Sequence, residues 1–269
     1  MERISNITVL KAFLEKEGLA ANKRLSQNFL IDSNILDKII LTAQVSKGDQ
    51  ILEIGPGPGA LTEALLMKEA EVFAIEKDQG FAKHLPRLST NHLSVYHADF
   101  LKFDLTPIFK KAPLKVVANL PYHLTTPILE KLLPLYPSVT SLTIMVQKEV
   151  AERLTSSPRS ENYGAFTLFR EFYSNVISSF RVKKTSFYPS PHIDSTVLHL
   201  ELKPLPNHIN GKDFFDFVYK AFQKRRKMLR SSLKEYGVTL EKRPEELSLQ
   251  EFIDLFRYKF NCSSLDRQT

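Results

Sequence analysis

Gly55, Gly57 and Gly59 stand at alternate positions directly after the run Ile51-Leu52-Glu53-Ile54. Glycine at this density lets a loop turn tightly and lets its backbone approach a ligand closely. A short apolar strand, a glycine loop and an amphipathic helix over residues 60–68 make the layout of a nucleotide site in a doubly wound sheet. The spacing is G-x-G-x-G rather than the dinucleotide G-x-G-x-x-G, which disfavours a nicotinamide dehydrogenase. Glu53 stands beside the loop, and a carboxylate there disfavours a phosphate and favours a cationic, hydroxyl-bearing ligand. S-adenosylmethionine has an ammonium, a sulfonium and a ribose, and it fits. A loop in which glycines merely satisfy a turn is the plainer alternative.

The second chemical stretch is Asn119-Leu120-Pro121-Tyr122. The lone pair of an exocyclic adenine amine is delocalised into the ring and is a poor nucleophile. Two acceptors that each take one of its N–H groups push the nitrogen towards tetrahedral geometry and free the pair. An Asn side-chain carbonyl and the backbone carbonyl of the following Leu-Pro supply two acceptors, and proline brings no competing N–H. Tyr122 can stack on the base, a contact worth roughly 1–3 kcal/mol in single-stranded recognition. Attack on a sulfonium needs no strong general base. Alignment, worth about 7–11 kcal/mol when good, then carries most of the rate.

These groups need strand ends to hold them. Apolar runs predict parallel strands at residues 51–54, 71–75, 93–97, 114–118 and 141–146, alternating with helices at 60–68, 78–88, 127–133 and 148–154. Glu76 ends the second strand about twenty residues beyond the glycines, where an acid holds ribose hydroxyls. Asp99 ends the third, placed to accept from an adenine amino group, and Asn119 ends the fourth. Helices at 4–17 and 34–44, the latter capped by Asp32 or Ser33, precede the sheet, with the polar-to-apolar stretch 23–30 between them. A helix is expected at 163–170, a strand at 172–182, a proline-stiffened loop at 187–195 and a last strand at 196–202. The final two strands suit a hairpin with one antiparallel member. The fold class is thus α/β, a Rossmann-like methyltransferase with a mostly parallel seven-stranded sheet. It occupies residues 1–203 with a helical preface, and a small helical domain follows at 204–269.

In that second part a helix is expected from Asp213 through Phe222 to Lys234, then helices at 240–247 and 249–256. Lys220, Lys224, Arg225, Arg226, Lys227, Arg230 and Lys234 fall in one stretch without an acid, and their seven charges match the chain's formal net charge of +7. A merely solvated helix face would mix in glutamates for i,i+4 pairs, so contact with RNA phosphates is expected of Lys224, Arg225, Arg226, Lys227 and Arg230. The single Cys262 excludes an intramolecular disulfide and suits a reducing compartment. The N-terminus has no apolar signal core, no apolar run reaches membrane-spanning length, and the seven histidines show no metal-ligand spacing. A cytoplasmic protein without metal is expected.

Taken together these motifs resemble the KsgA-type small-subunit rRNA adenine dimethyltransferases over nearly the whole chain. Gln27-Asn28-Phe29-Leu30 resembles the family's Q-x-F-L, which implies contacts from Asn28 and Leu30 to the methionine part of the cofactor. The resemblance further implies Gly55 in the cofactor loop, Glu76 on the ribose and Asp99 on the cofactor adenine. Asn119, Leu120, Pro121 and Tyr122 match the catalytic tetrapeptide, with Asn119 also beside the cofactor. Phe187-x-Pro189-x-Pro191-x-Ile193-x-Ser195 resembles F-x-P-x-P-x-V-x-S, and Phe187 would stack the target base opposite Tyr122. His123 stands where Asn is expected, and Ile193 where Val is usual. The 225–227 stretch resembles the family's R-R-K segment. The implied activity is dimethylation of two adjacent adenosines in the 3′-terminal loop of small-subunit rRNA by a monomer acting on the immature subunit, away from any membrane. Two alternatives stay open: an Erm-like enzyme on large-subunit rRNA, and a non-catalytic RNA-binding assembly factor.

Overall fold

A computed structural model describes residues 3–22, 25, 27–88, 91–109 and 113–265, with backbone alone for 261–265. Lys23, Arg24 and Ser26 of the stretch before Gln27, and the Cys262 side chain, lie outside the described residues. The chain packs as two compact units. One comprises Met1–Ala151 with Val176–Lys203; the other comprises Glu152–Asn175 with Pro204–Thr269. The sequence pattern draws a single boundary after residue 203, whereas here residues 152–175 group with the C-terminal part.

The first unit is built on strands β1 (Phe29–Leu30), β2 (Gln50–Ile54), β3 (Glu71–Glu76), β4 (Leu93–His97), β5 (Leu114–Asn119) and β6 (Val139–Gln147). They are followed by β7 (Ser174–Val182), β8 (Phe187–Tyr188) and β9 (Ser195–Leu202). Seven of these form one sheet in the order β4-β3-β2-β5-β6-β9-β7. β2 to β6 pair in parallel, and β9 runs antiparallel to β6. Ile51, Leu52, Val72, Ala74, Val116 and Val117 are almost wholly buried, as expected of parallel strands covered on both faces. That is why β3 and β5 read as near-continuous apolar runs, and why Glu76 and Asn119 at their ends stand out.

The preface helices form where their caps allow. Asn6 accepts from the Thr8 N–H at the start of helix Ile7–Lys16. Asp32 accepts from the Asn34 and Ile35 N–H groups at the start of helix Ser33–Thr42. Asp32 also accepts from the Ser186 hydroxyl at 3.0 Å, and the Ile31 N–H donates to the Ser186 carbonyl. These bonds tie the Gln27–Leu30 segment to the start of the proline loop. There β1 and β8 pair antiparallel, with Phe29 opposite Tyr188 and Leu30 opposite Phe187. Neither segment alone would show this pair, because two residues carry no periodicity.

The second unit has an aromatic core. Helices Ala165–Tyr173 and Gly211–Phe222 bring Phe172 and Phe214 to stacked rings 5.0 Å apart. Phe217 meets Phe256 of helix Leu249–Leu265 edge-on at 5.6 Å. Tyr163 is buried and its hydroxyl donates to the Leu247 carbonyl at 2.7 Å. These rings explain why residues 152–175 join the C-terminal part. Two expected helices differ. The helix begun at residue 211 ends at Phe222 and does not continue to Lys234: a turn follows, and then the short helix Leu229–Ser232. Residues 240–247 hold only a 3-10 turn, Pro244–Glu246, with proline at its start as the cause. Among the described residues no helix is long and apolar enough to cross a membrane.

Candidate active site

The crevice lies in the first unit, at the carboxyl ends of β2, β3 and β5 and beyond β4, where open α/β sheets hold ligands. Its walls include Asn28, Leu30, Gly55, Glu76, Asp99, Asn119 and Tyr122. The space between them, open solvent included, is about 1120 Å³. A mostly apolar wall with a few convergent polar groups is the usual form of a small-molecule site.

The glycine loop is held from one side by Glu76. That carboxylate is buried; Oε2 accepts from the Gly57 N–H at 2.8 Å and Oε1 accepts from the Asp78 N–H at 2.7 Å. Burial pushes its pKa up, and the Asp78 and Gly57 bonds oppose the shift. Each carboxylate oxygen keeps a further lone pair for a hydroxyl donor. Gly59 needs its identity: φ is +94°, and a Cβ there would lie 2.8 Å from Leu88 Cδ1.

Glu53 is buried in β2 below the loop, with Oε2 accepting from the Thr62 hydroxyl at 2.7 Å. Burial pushes its carboxyl up to about 8, the Thr62 bond opposes this and the nearby Glu76 charge adds to it. Between about 4.5 and about 8, therefore, the folded chain holds a proton that the unfolded chain releases. Stability falls as pH rises across that window. Glu53→Gln keeps the acceptor for Thr62 and removes the titration. Thermal melts of both proteins across the window should show a fall in the parent of more than about 1 kcal/mol, or about 2–4 °C for a chain this size, and a flatter profile in the variant. Equal slopes would refute the assignment.

Asp99 accepts from the Leu101 N–H at 3.0 Å and pairs with Lys77 Nζ at 3.0 Å. The Lys77 bond, with the Leu101 N–H, holds its pKa below the usual carboxylate value. At the end of β5, Asn119 Nδ2 donates to the Asn28 carbonyl at 3.1 Å. A carbonyl can only accept, so this contact fixes the amide orientation. Asn119 Oδ1 is then buried and accepts no hydrogen bond among the described residues, which is uncommon for a buried polar atom. The Leu120 N–H donates to the Met145 carbonyl at 3.1 Å, anchoring the turn to β6. The Tyr122 hydroxyl and Ser195 Oγ lie 2.7 Å apart, and burial raises the Tyr122 pKa against that bond. Ser195 opens β9 and is fully buried; its place at the end of the proline motif was the only signal for this contact.

The structure thus brings Asn28, Leu30, Gly55, Glu76, Asp99 and the 119–122 turn together. It does not bring Phe187 with them. That ring is 3% exposed, packs in the core with Phe29 and Leu30 and is absent from the crevice wall. In this structure the ring packs inward from β8, opposite Leu30. His123 is exposed at the crevice rim.

The basic stretch is also different from its expected form. Lys224–Lys227 make a turn rather than a helix, closed by the Lys227 N–H donating to the Lys224 carbonyl at 2.7 Å. Acids from elsewhere in the same unit neutralise part of it. Arg225 pairs with Glu245 at 2.7 Å, Arg230 with Glu241 at 2.6 Å and Lys220 with Glu235 at 3.3 Å. Lys224, Arg226 and Lys227 are exposed, with no ion pair among the described residues. No group of three or more His, Cys, Asp or Glu able to hold a metal occurs among the described residues.

A sheet in this order with its second-last strand reversed, and a glycine crevice at its carboxyl edge, is that of the Rossmann-like methyltransferases, and the chain is a methyltransferase of that class. The match can be made narrower. A family model described as ribosomal RNA adenine dimethylase matches residues 18–254, and the chain belongs to that family. The ribosomal RNA small subunit methyltransferase A of Protochlamydia amoebophila is 43% identical over 267 residues, covering 92% of this chain and 94% of the relative. A dimethyladenosine transferase structure from Plasmodium falciparum superposes with a TM-score of 0.73 at 27% identity, covering 86% of this chain and 98% of that one. The 23S rRNA methyltransferase ErmE gives a TM-score of 0.66 at 25% identity, with coverage of 86% and 98%.

Proposed function

We propose that the chain uses S-adenosylmethionine to dimethylate the 6-amino groups of two adjacent adenosines in the 3′-terminal loop of small-subunit (16S) rRNA, on the immature small subunit in the cytoplasm. The observation that carries this reading is the buried Asn119 Oδ1 at the crevice wall, with no hydrogen-bond partner among the described residues. A buried acceptor left open costs stability, and an amine N–H of the substrate satisfies it. Family membership and the small-subunit name of the 43% identical relative favour this substrate over large-subunit rRNA.

S-adenosylmethionine supplies an electrophilic methyl on a sulfonium. Glu76 would hold its ribose hydroxyls, Asp99 its adenine, and the Gly55 loop with Asn28 and Leu30 its methionine end. Asn119 Oδ1 and the Leu120 carbonyl accept the two N–H groups of the target amine and expose its lone pair. Pro121 keeps the second acceptor free of a neighbouring donor. Tyr122, fixed by Ser195 at 2.7 Å, presents its ring as the stacking surface for a base already unstacked in a loop. The product ammonium loses its proton to solvent, and no buried base is required.

The test is transfer of labelled methyl to immature small subunits, with the modified nucleosides mapped. Dimethyladenosine at two adjacent positions near the 3′ end is the expected result. Label in large-subunit rRNA would shift the reading to the Erm-like alternative, and no label with intact RNA binding would shift it to an assembly factor.

Phosphate contact in the second unit falls to Lys224, Arg226 and Lys227, since Arg225 and Arg230 already hold glutamates. Replacing Arg226 and Lys227 by Ala should weaken RNA binding and reduce the slope of log affinity against log salt by about 1 for each phosphate left without its cation. Arg225→Ala should instead lower thermal stability, because its guanidinium also donates to the Glu161 carbonyl at 2.7 Å. An unchanged slope in the Arg226/Lys227 variant would remove this turn from the RNA surface.

A further inference from the structure

Beyond Asp99 the chain folds into a tight turn. The Lys102 and Phe103 N–H groups both donate to the Asp99 carbonyl at 3.0 Å, and the Leu101 N–H donates to the Asp99 side chain. A turn wound this closely directs the carbonyls of Phe100, Leu101 and Phe103 towards one point. Lys131 Nζ occupies that point, at 2.7, 3.2 and 2.7 Å from the three oxygens. An ammonium has three donors and no acceptor, so the three carbonyls use it completely. Its Nζ also lies 4.9 Å from the centre of the Phe100 ring. Phe100 and Leu101 line the crevice next to Asp99.

Lys131 belongs to helix Thr125–Leu132, which starts directly after the 119–122 turn. The join is rigid: the Leu124 N–H donates to the Pro121 carbonyl at 2.9 Å, and the Thr125 hydroxyl donates to the Tyr122 carbonyl at 3.2 Å. The helix therefore connects the wall assigned to the cofactor adenine with the turn assigned to the target amine. We propose that Lys131 is a positioning residue, whose three bonds to the 100–103 turn fix the distance and angle between the adenine side of the cofactor site and the methyl-accepting turn. This rests on the reading of the crevice as the S-adenosylmethionine site. Small displacements matter there, because misplacing aligned reactants by about 1 Å can cost on the order of a hundredfold in rate.

The test compares three single variants of the full chain by titration with S-adenosylmethionine, steady-state methyl transfer, RNA binding and thermal melting. Lys131→Met keeps the length and loses the donors. Lys131→Arg keeps the charge but cannot aim three donors at one point. Lys115→Met removes a lysine that likewise anchors a carbonyl, that of Gln44, at 2.9 Å, but at the opposite end of β5. The expected result in Lys131→Met is a cofactor Kd raised roughly tenfold and a kcat at saturating cofactor lowered well beyond that of Lys115→Met, with smaller changes in Lys131→Arg and RNA affinity unchanged. Lys115→Met should lower the melting temperature without moving cofactor Kd. If Lys131→Met does not fold, the Arg variant alone carries the comparison, and a parental Kd in that variant overturns the proposal. So does a shift in Lys131→Met no larger than in Lys115→Met. A parent chain that takes up no cofactor overturns the reading of the crevice itself, which separates the two failures.

Discussion

Asn119→Ala is expected to lower kcat for methyl transfer by about 10²–10³, the loss typical when one preorganised polar partner of the reacting group is removed. The cofactor dissociation constant should move only a few-fold. The reason is the division of labour within this one side chain. Its nitrogen holds the Asn28 carbonyl at 3.1 Å, and its oxygen is buried without a partner among the described residues. Only the oxygen is placed to act on the amine, so the loss should fall on turnover rather than on cofactor uptake. Asn119→Asp is the informative companion. It restores an acceptor but turns a second oxygen towards the Asn28 carbonyl, so its activity should lie between the parent and the Ala variant. Single-turnover methyl transfer at saturating cofactor and RNA separates chemistry from binding. Full activity in Asn119→Ala would remove the two-acceptor mechanism.

Much of this site was legible in the sequence because of where the sheet puts its polarity. Buried parallel strands must be apolar along their length, so Glu76 and Asn119 appear as the first polar residues after such runs, whereas the strand before Asp99 is partly exposed and carries Ser94 and His97. The glycines mark a loop with positive φ at all three positions. What was not legible depends on contacts distant in the chain. The basic stretch has residues with good helix propensity and no breaker, yet it leaves the helix after Phe222. Its next backbone bonds go elsewhere, from the Leu229 N–H to the Lys242 carbonyl and from the Arg230 N–H to the Leu240 carbonyl. The glutamates that neutralise Arg225 and Arg230 come from the same distant segment, at Glu245 and Glu241, so counting acids within the stretch overstates its free charge. Phe187 turns inward through a two-residue strand, which no window of sequence reveals. Lys131 carries no motif at all; its meaning lies in three carbonyls about thirty residues upstream.

Glu76→Ala should have the opposite signature to Asn119→Ala: cofactor binding fails first. Two separate losses combine at this carboxylate. The buried Gly57 N–H and the partly buried Asp78 N–H, now 2.8 and 2.7 Å from its oxygens, would lose their acceptor, at about 1–3 kcal/mol for the buried group and less for the other. The ribose hydroxyls would lose their charged acceptor, and hydrogen bonds to charged groups are worth about 1.5–3 kcal/mol. Since about 2.7 kcal/mol is a hundredfold in affinity, the cofactor Kd should rise at least a hundredfold, with a lower melting temperature. Glu76→Gln tells these apart. Its amide oxygen keeps one backbone N–H, while its NH₂ meets the other donor head-on, so it should lose less stability than Ala while still losing roughly tenfold in cofactor affinity. Titration with S-adenosylmethionine and with S-adenosylhomocysteine should show the same loss, because the ribose is common to both. A loss confined to one of them would place Glu76 on the methionine end instead. An unchanged Kd in Glu76→Ala would mean that the loop keeps its shape without this acid, and that the ribose sits elsewhere in the crevice.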